Sequence, residues 1–216
     1  MKKVSIAMFI ASFFIPIIIV LSAILIIGTN VTSNKKAGPV VPSESEKAFI
    51  EAMAPVAQES YKEHGVLPSI TLAQGIIESA WGKSGLTVQG NNLFGIKADI
   101  SWTGPVIEMN TQEFVNGQYI TVVARWRVYD RWEDSILDHG KFLKENIRYE
   151  QAGVFNAKNY KEQAEALLRA GYATDPNYSN KLCSMIESYS LDQYDNVQNN
   201  TCLLYTSPSP RDRQKS

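Results

Sequence analysis

The chain has 216 residues, of which 44% are hydrophobic and 20% charged, a composition that suits one globular domain with appendages. The formal net charge of −1 gives no reason to expect a nucleic-acid partner, because holding a polyanion takes a clustered basic surface. Two histidines, His64 and His139, and two cysteines 19 positions apart, Cys183 and Cys202, make no metal-ligand spacing, so neither a metal nor another cofactor is expected.

Residues 4–28 carry no charge. That run exceeds the roughly 20 apolar residues that cross a bilayer as a helix and is longer than the core of a secretory signal. Its exit shows no small-residue cleavage site and no cysteine for a lipid. Residues 1–28 are therefore expected to be a single-pass membrane anchor, with a cleaved signal as the alternative. Lys2 and Lys3 favour a cytoplasmic start, and Lys35 and Lys36 oppose it; the free amino terminus tips the orientation toward an extracytoplasmic body. Residues 29–45, rich in Ser, Thr, Asn, Gly and Pro, read as a flexible linker.

The body spans residues 46–195. Apolar residues at Phe49, Ile50, Met53, Val56, Ala57 and Tyr61 predict a helix over 47–64, stopped by Gly65. Pro68 opens a second, with Ile70, Ala73, Ile77 and Ala80 on one face, Thr71, Gln74 and Glu78 on another, and Gly82 and Gly85 at its end. Residues 91–97 read as a tight loop. Asn116-Gly117 between 113–115 and 118–120 is a strong hairpin signal, and the second strand alternates through Trp126 to Val128. Asp130 with Glu133 predicts a capping box for a third helix bearing Trp132, Ile136, His139 and Leu143. A fourth helix runs from Tyr160 to Ala170, ended by Gly171. A fifth follows Asp175-Pro176, with Tyr178, Leu182, Ile186 and Tyr189 inward. The tail, 196–216, has no period and resembles translated sequencing-adapter sequence; it is expected to be disordered and foreign to the fold.

Glu78 is the leading candidate for chemistry. It sits near the end of an otherwise apolar helix with Gln74, Ile77, Trp81 and Gly82 as turn neighbours. Desolvation there disfavours the anion and raises the pKa, and a carboxyl group neutral near pH 6–7 can protonate a glycosidic oxygen. On residue type alone, a solvent-facing helix glutamate is the commoner reading.

The stretches 72–85 (LAQGIIESAWGKSG) and 91–97 (NNLFGIK), then 129–135 (YDRWEDS), Asp138-His139-Gly140 and 170–176 (AGYATDP) before Tyr178, closely resemble the glucosaminidase family of bacterial wall hydrolases, glycoside hydrolase family 73. The resemblance covers the whole body. It implies a mainly α fold with a small antiparallel β-hairpin lobe, α+β and lysozyme-like, which the uncharged run at 4–28 precedes with one expected transmembrane helix. It implies cleavage of the β-1,4 bond between N-acetylglucosamine and N-acetylmuramic acid in peptidoglycan glycan strands, with Glu78 as catalytic acid.

A second carboxylate is expected on the hairpin. Glu113, 35 positions after Glu78, is preferred over Glu108, and alternation puts the two on opposite strand faces. It could serve as a base about 6.5–9.5 Å from the acid or as a nucleophile about 5–5.5 Å away, or the substrate's acetamido group could take that part. The resemblance makes Tyr172 a candidate for orienting the acetamido group or the water. Gln74, Trp81, Asn92, Phe94 and Tyr129 are candidate substrate-binding residues, with a core position preferred for Phe94. His139 reads as a satisfied structural histidine and Cys183 as packing. A lytic transglycosylase on the same fold and a non-catalytic wall-binding module are the competing functions.

Overall fold

The computed structural model describes residues 40–115 and 118–197, apart from the side chains of 113–115 and 119. The predicted anchor, most of the predicted linker and nearly all of the predicted tail lie outside the described residues. Helix α1, Glu44–His64, starts just inside the stretch read as linker, because Ser43 and Glu46 form a capping box there. Gly65 ends it at φ 76°, its N–H bonded to the Tyr61 carbonyl at 2.8 Å.

Helix α2, Pro68–Ser79, is buried along almost its whole length. Gly75 makes this possible, since a Cβ there would collide with the Met53 side chain of α1. Asp195 caps its start from the far end of the domain. Its Oδ1 accepts from Ser69 N at 2.8 Å and its Oδ2 from Ser69 Oγ at 2.7 Å. The helix stops at Ser79, earlier than the glycines predict. Ala80, Trp81 and Gly82 follow in left-handed conformation at φ 50°, 61° and 77°. Ser79 Oγ stabilises that turn by accepting from Gly82 N at 2.7 Å.

A short helix that sequence spacing misses, α3 (Gly85–Gly90), is capped by Ser84. Strands β1 (Val106–Val115) and β2 (Gln118–Arg127) pair antiparallel, with Met109 opposite Ala124 and Glu113 opposite Ile120. The hairpin has an inner and an outer face. Ile107, Met109 and Thr111 are half-buried and Ala124 and Trp126 buried, whereas Glu108, Asn110, Gln112, Val123 and Arg125 are exposed. At its root Arg127 donates to Asp138 at 2.8 Å and to Asp99 at 3.3 Å, its guanidinium 4.7 Å from the Trp102 ring centre.

Helix α4, Trp132–Glu145, does not use the predicted Asp130–Glu133 capping box. Its N-cap is Arg131, which makes no side-chain cap bond. Asn91 Nδ2 donates to the carbonyls of Tyr129 and Asp130 at 2.9 and 3.1 Å, holding residue 130 outside the helix. After α5 (Ile147–Gln151) and a 3₁₀ turn at Val154–Asn156 come α6 (Tyr160–Arg169), α7 (Tyr178–Tyr189) and a last 3₁₀ turn at Leu191–Asp195. The core joins Met53, Ile70, Leu72, Ile76, Phe94, Ile136, Leu143, Leu167, Leu182 and Ile186. The described residues thus form a mainly helical body with one small two-stranded antiparallel sheet, the fold class expected.

Candidate active site

Glu78 is the penultimate residue of α2. It keeps partial solvent exposure, yet protein crowds its carboxyl group. Desolvation raises its pKa from 4.5 to about 7, against the lowering effects of the Tyr178 hydrogen bond and the Lys181 charge. The negative end of the α2 dipole lies at the same place and also disfavours the anion. The phenol of Tyr178 donates to Oε1 at 2.9 Å. Gln74 Nε2 donates to the same phenol oxygen at 3.2 Å. Burial first, and then the Glu78 charge, push the Tyr178 pKa well above its ordinary value, so this phenol stays a hydrogen donor.

The turn after Glu78 brings this geometry about. Three left-handed residues reverse the chain immediately beyond the acid and send the Trp81 ring against Phe49 and Tyr189, at centroid distances of 5.8 and 4.9 Å. Trp81, a candidate substrate-binding residue, is thus half-buried with its ring packed against the core. Gly82 is required in the turn, because a Cβ there would lie 2.7 Å from the Trp132 ring.

The other predicted substrate contacts also turn inward. Gln74 is fully buried and meets Tyr178 instead of a groove. Asn92 is buried and clamps the 91–97 loop. Its Nδ2 donates to the carbonyls of Ile96 and Arg127 at 2.9 Å each, and its Oδ1 accepts from Ile96 N at 3.1 Å. Phe94 is core, as preferred, stacked on His139 at 3.9 Å. Tyr129 is buried with its hydroxyl donating to Asp138 at 2.7 Å. These side chains carry polar or aromatic groups that suit sugars, but the loops use them to satisfy their own backbone and charges.

Tyr172 is 1% exposed and stacks on Tyr178 at 5.5 Å; its hydroxyl has no hydrogen-bond partner. The phenol that reaches Glu78 is Tyr178, which sequence spacing assigns only to an inward stripe. A contact across 100 positions leaves no local signal. His139 is structural but not satisfied: neither ring nitrogen has a partner, and desolvation first, then the His64 charge, lower its pKa to about 3. Cys183 is half-buried against the core, and burial raises its thiol pKa.

The backbone register pairs Glu113 with Ile120, while Glu108, opposite Arg125, stands exposed on the outer face. Met109 reaches toward α3, its Cε 3.6 Å from where a Cβ on Gly85 would sit. The inner face therefore leans toward the segment that follows Glu78. Among the described residues no group of three or more His, Cys, Asp or Glu is placed to hold a metal.

The Glucosaminidase family, described as mannosyl-glycoprotein endo-beta-N-acetylglucosaminidase, matches residues 54–191. The chain is 40% identical over 157 residues to the exo-glucosaminidase LytG of Bacillus subtilis, covering 71% of this chain and 55% of that protein. It is 38% identical over 164 residues to the peptidoglycan hydrolase FlgJ of Salmonella typhimurium, covering 71% of this chain and 51% of that one. It thus spans about half the length of these curated relatives. The catalytic domain of the autolysin Auto from Listeria monocytogenes superposes with a TM-score of 0.64 at 32% identity, over 72% of this chain and 90% of that one. With most of the described body matched in sequence and in structure, the chain belongs to the glucosaminidase family of glycoside hydrolases, family 73.

Proposed function

We propose that this chain hydrolyses peptidoglycan at the β-1,4 bond between N-acetylglucosamine and N-acetylmuramic acid, with Glu78 as general acid. The observation that carries the reading is a carboxyl group whose pKa burial has raised to about 7 while one face stays open to solvent. Such a group holds a proton at neutral pH and can deliver it to a leaving glycosidic oxygen. Glu113, opposite Ile120 in the hairpin register, is the second carboxylate in this reading, with Glu108 as the alternative; the phenol bonded to the acid is that of Tyr178, not Tyr172. Wall zymograms comparing wild type with Glu78→Gln test the acid: clearing by wild type alone supports it, equal clearing by both refutes it, and no clearing by either makes the chain a binding module. Mass spectrometry of the digest tests the bond and the reaction. New reducing-end N-acetylglucosamine supports hydrolysis, whereas abundant 1,6-anhydro-muramic ends would make it a lytic transglycosylase.

The uncharged run at 4–28 supports a single-pass anchor that holds the domain on the wall side of the cell membrane. Carbonate extraction of membranes checks this. The full chain should stay in the pellet and a chain lacking 1–28 should not; a full chain found in the supernatant contradicts the anchor.

A further inference from the structure

Gln74 lies one helical turn before Glu78 and is fully buried. Its amide nitrogen donates to the phenol oxygen of Tyr178 at 3.2 Å, and the phenol donates to Oε1 of Glu78 at 2.9 Å. A phenol has one hydrogen to give. With the amide NH₂ turned to the phenol oxygen, the phenol oxygen accepts and its hydrogen goes to Oε1 of Glu78; the reverse order, acid to phenol to amide, would need the amide carbonyl there instead. The chain of donation runs amide to phenol to carboxyl. The amide's own oxygen is left buried without a partner, a cost that simple packing does not require. Oε2 of Glu78 has no hydrogen-bond partner among the described residues.

We infer that Gln74 is a positioning residue for the acid: by occupying the phenol oxygen of Tyr178 it commits the phenol hydrogen to Oε1 of Glu78 and leaves the acid's own proton on Oε2. Oε1 then takes the carbonyl part of the neutral acid, and the transferable proton stays on the oxygen that the protein does not engage. Without Gln74 the phenol oxygen is free to accept, and the Glu78 proton turns inward to it. That change stabilises the neutral acid and weakens the support of the anion, so both effects move the titration of Glu78 upward. The inference rests on the reading of Glu78 as general acid.

Gln74→Met keeps the length and packing of the side chain and removes the donor. The Glu78 titration is followed without substrate by ¹³C resonance of labelled glutamate, in wild type, Gln74→Met, Tyr178→Phe and the double variant. kcat and KM on soluble glycan strands are measured at pH 5, where the acid is protonated throughout. Gln74→Met is expected to raise the titration midpoint by about 0.5–1 pH unit and lower kcat about tenfold with KM nearly unchanged. In the Tyr178→Phe background it should move the midpoint no further. A wild-type midpoint in Gln74→Met, or an equal shift with and without the phenol, overturns the inference. A purely structural role would lower the melting temperature and leave midpoint and kcat where they are. Full activity in Glu78→Gln would refute the acid instead, and would leave the titration result standing.

Discussion

The Tyr178 hydroxyl and the Glu78 carboxylate, 100 positions apart in sequence, meet at 2.9 Å, and the phenol is the hydrogen-bonding influence that holds the pKa of a desolvated acid down to about 7. Tyr178→Phe removes that donor. A hydrogen bond to a charged group in a partly buried site contributes about 1.5–3 kcal/mol, so the alkaline limb of the pH–rate profile should move up by about one unit or more. A pH–rate series on soluble glycan checks it, and an unmoved limb would remove the phenol from the acid's control.

Glu78 itself should oppose stability at high pH. Its folded pKa of about 7 lies above the ordinary 4.5, so the folded state binds the proton more tightly than the unfolded one. Stability is then greatest below pH 4.5 and is lost as pH rises through 7. The shift corresponds to at most about 3 kcal/mol. Glu78→Gln stays neutral and can still accept from Tyr178. It should melt higher than wild type at pH 8, melt nearly equally at pH 4, and lose activity by a factor on the order of 10²–10⁴. Thermal denaturation at the two pH values decides this.

The left-handed turn predicts opposite outcomes for two small substitutions. Gly82→Ala puts a methyl 2.7 Å from the Trp132 ring and 3.1 Å from Phe49, at φ 77°; it should cost about 2–4 kcal/mol. Ala80 sits at φ 50°, where glycine removes roughly 1 kcal/mol of strain but adds unfolded-state freedom. Ala80→Gly should therefore be neutral or slightly stabilising. Urea titration of both variants measures the contrast.

Asp195→Ala strips the cap that accepts both Ser69 donors at the start of α2. The expected cost is about 1–2 kcal/mol, seen as a lower urea midpoint with an unchanged slope. A variant as stable as wild type would show the cap to be replaceable by water.

Much of this frame is legible in the residues. Helical stripes locate α1, α6 and α7 because each buries one face, and Gly65 and Gly171 mark where α1 and α6 stop. Asn116-Gly117 marks the centre of the hairpin, though not that the strands run ten residues each. The end of α2 is hidden, since nothing in Ala80 or Trp81 announces a left-handed backbone; that choice is made by the Ser79 hydroxyl and by ring packing against Phe49 and Tyr189. At the site, residue type alone leaves Glu78 on its apolar helix with two readings, and the surrounding motif at 72–85 is what singles it out. Asn92 and Tyr129 mislead, because a side chain that satisfies buried carbonyls or a buried aspartate has the same chemistry as one that binds a sugar. Tyr172 and Tyr178 differ by where α7 begins, and local pattern does not say which phenol lands on the acid.

The Asp195 cap also has a consequence in time. Chains are made from the N-terminus, and the carboxylate that completes the first turn of α2 arrives 126 residues after the serine it holds. Gln58 of α1 likewise waits for the Tyr194 carbonyl, 136 residues later. Closing so long a loop is slow. The first turn of the helix that carries Glu78 therefore gains its cap only when nearly the whole domain has been synthesised, which puts its completion in the last stage of folding.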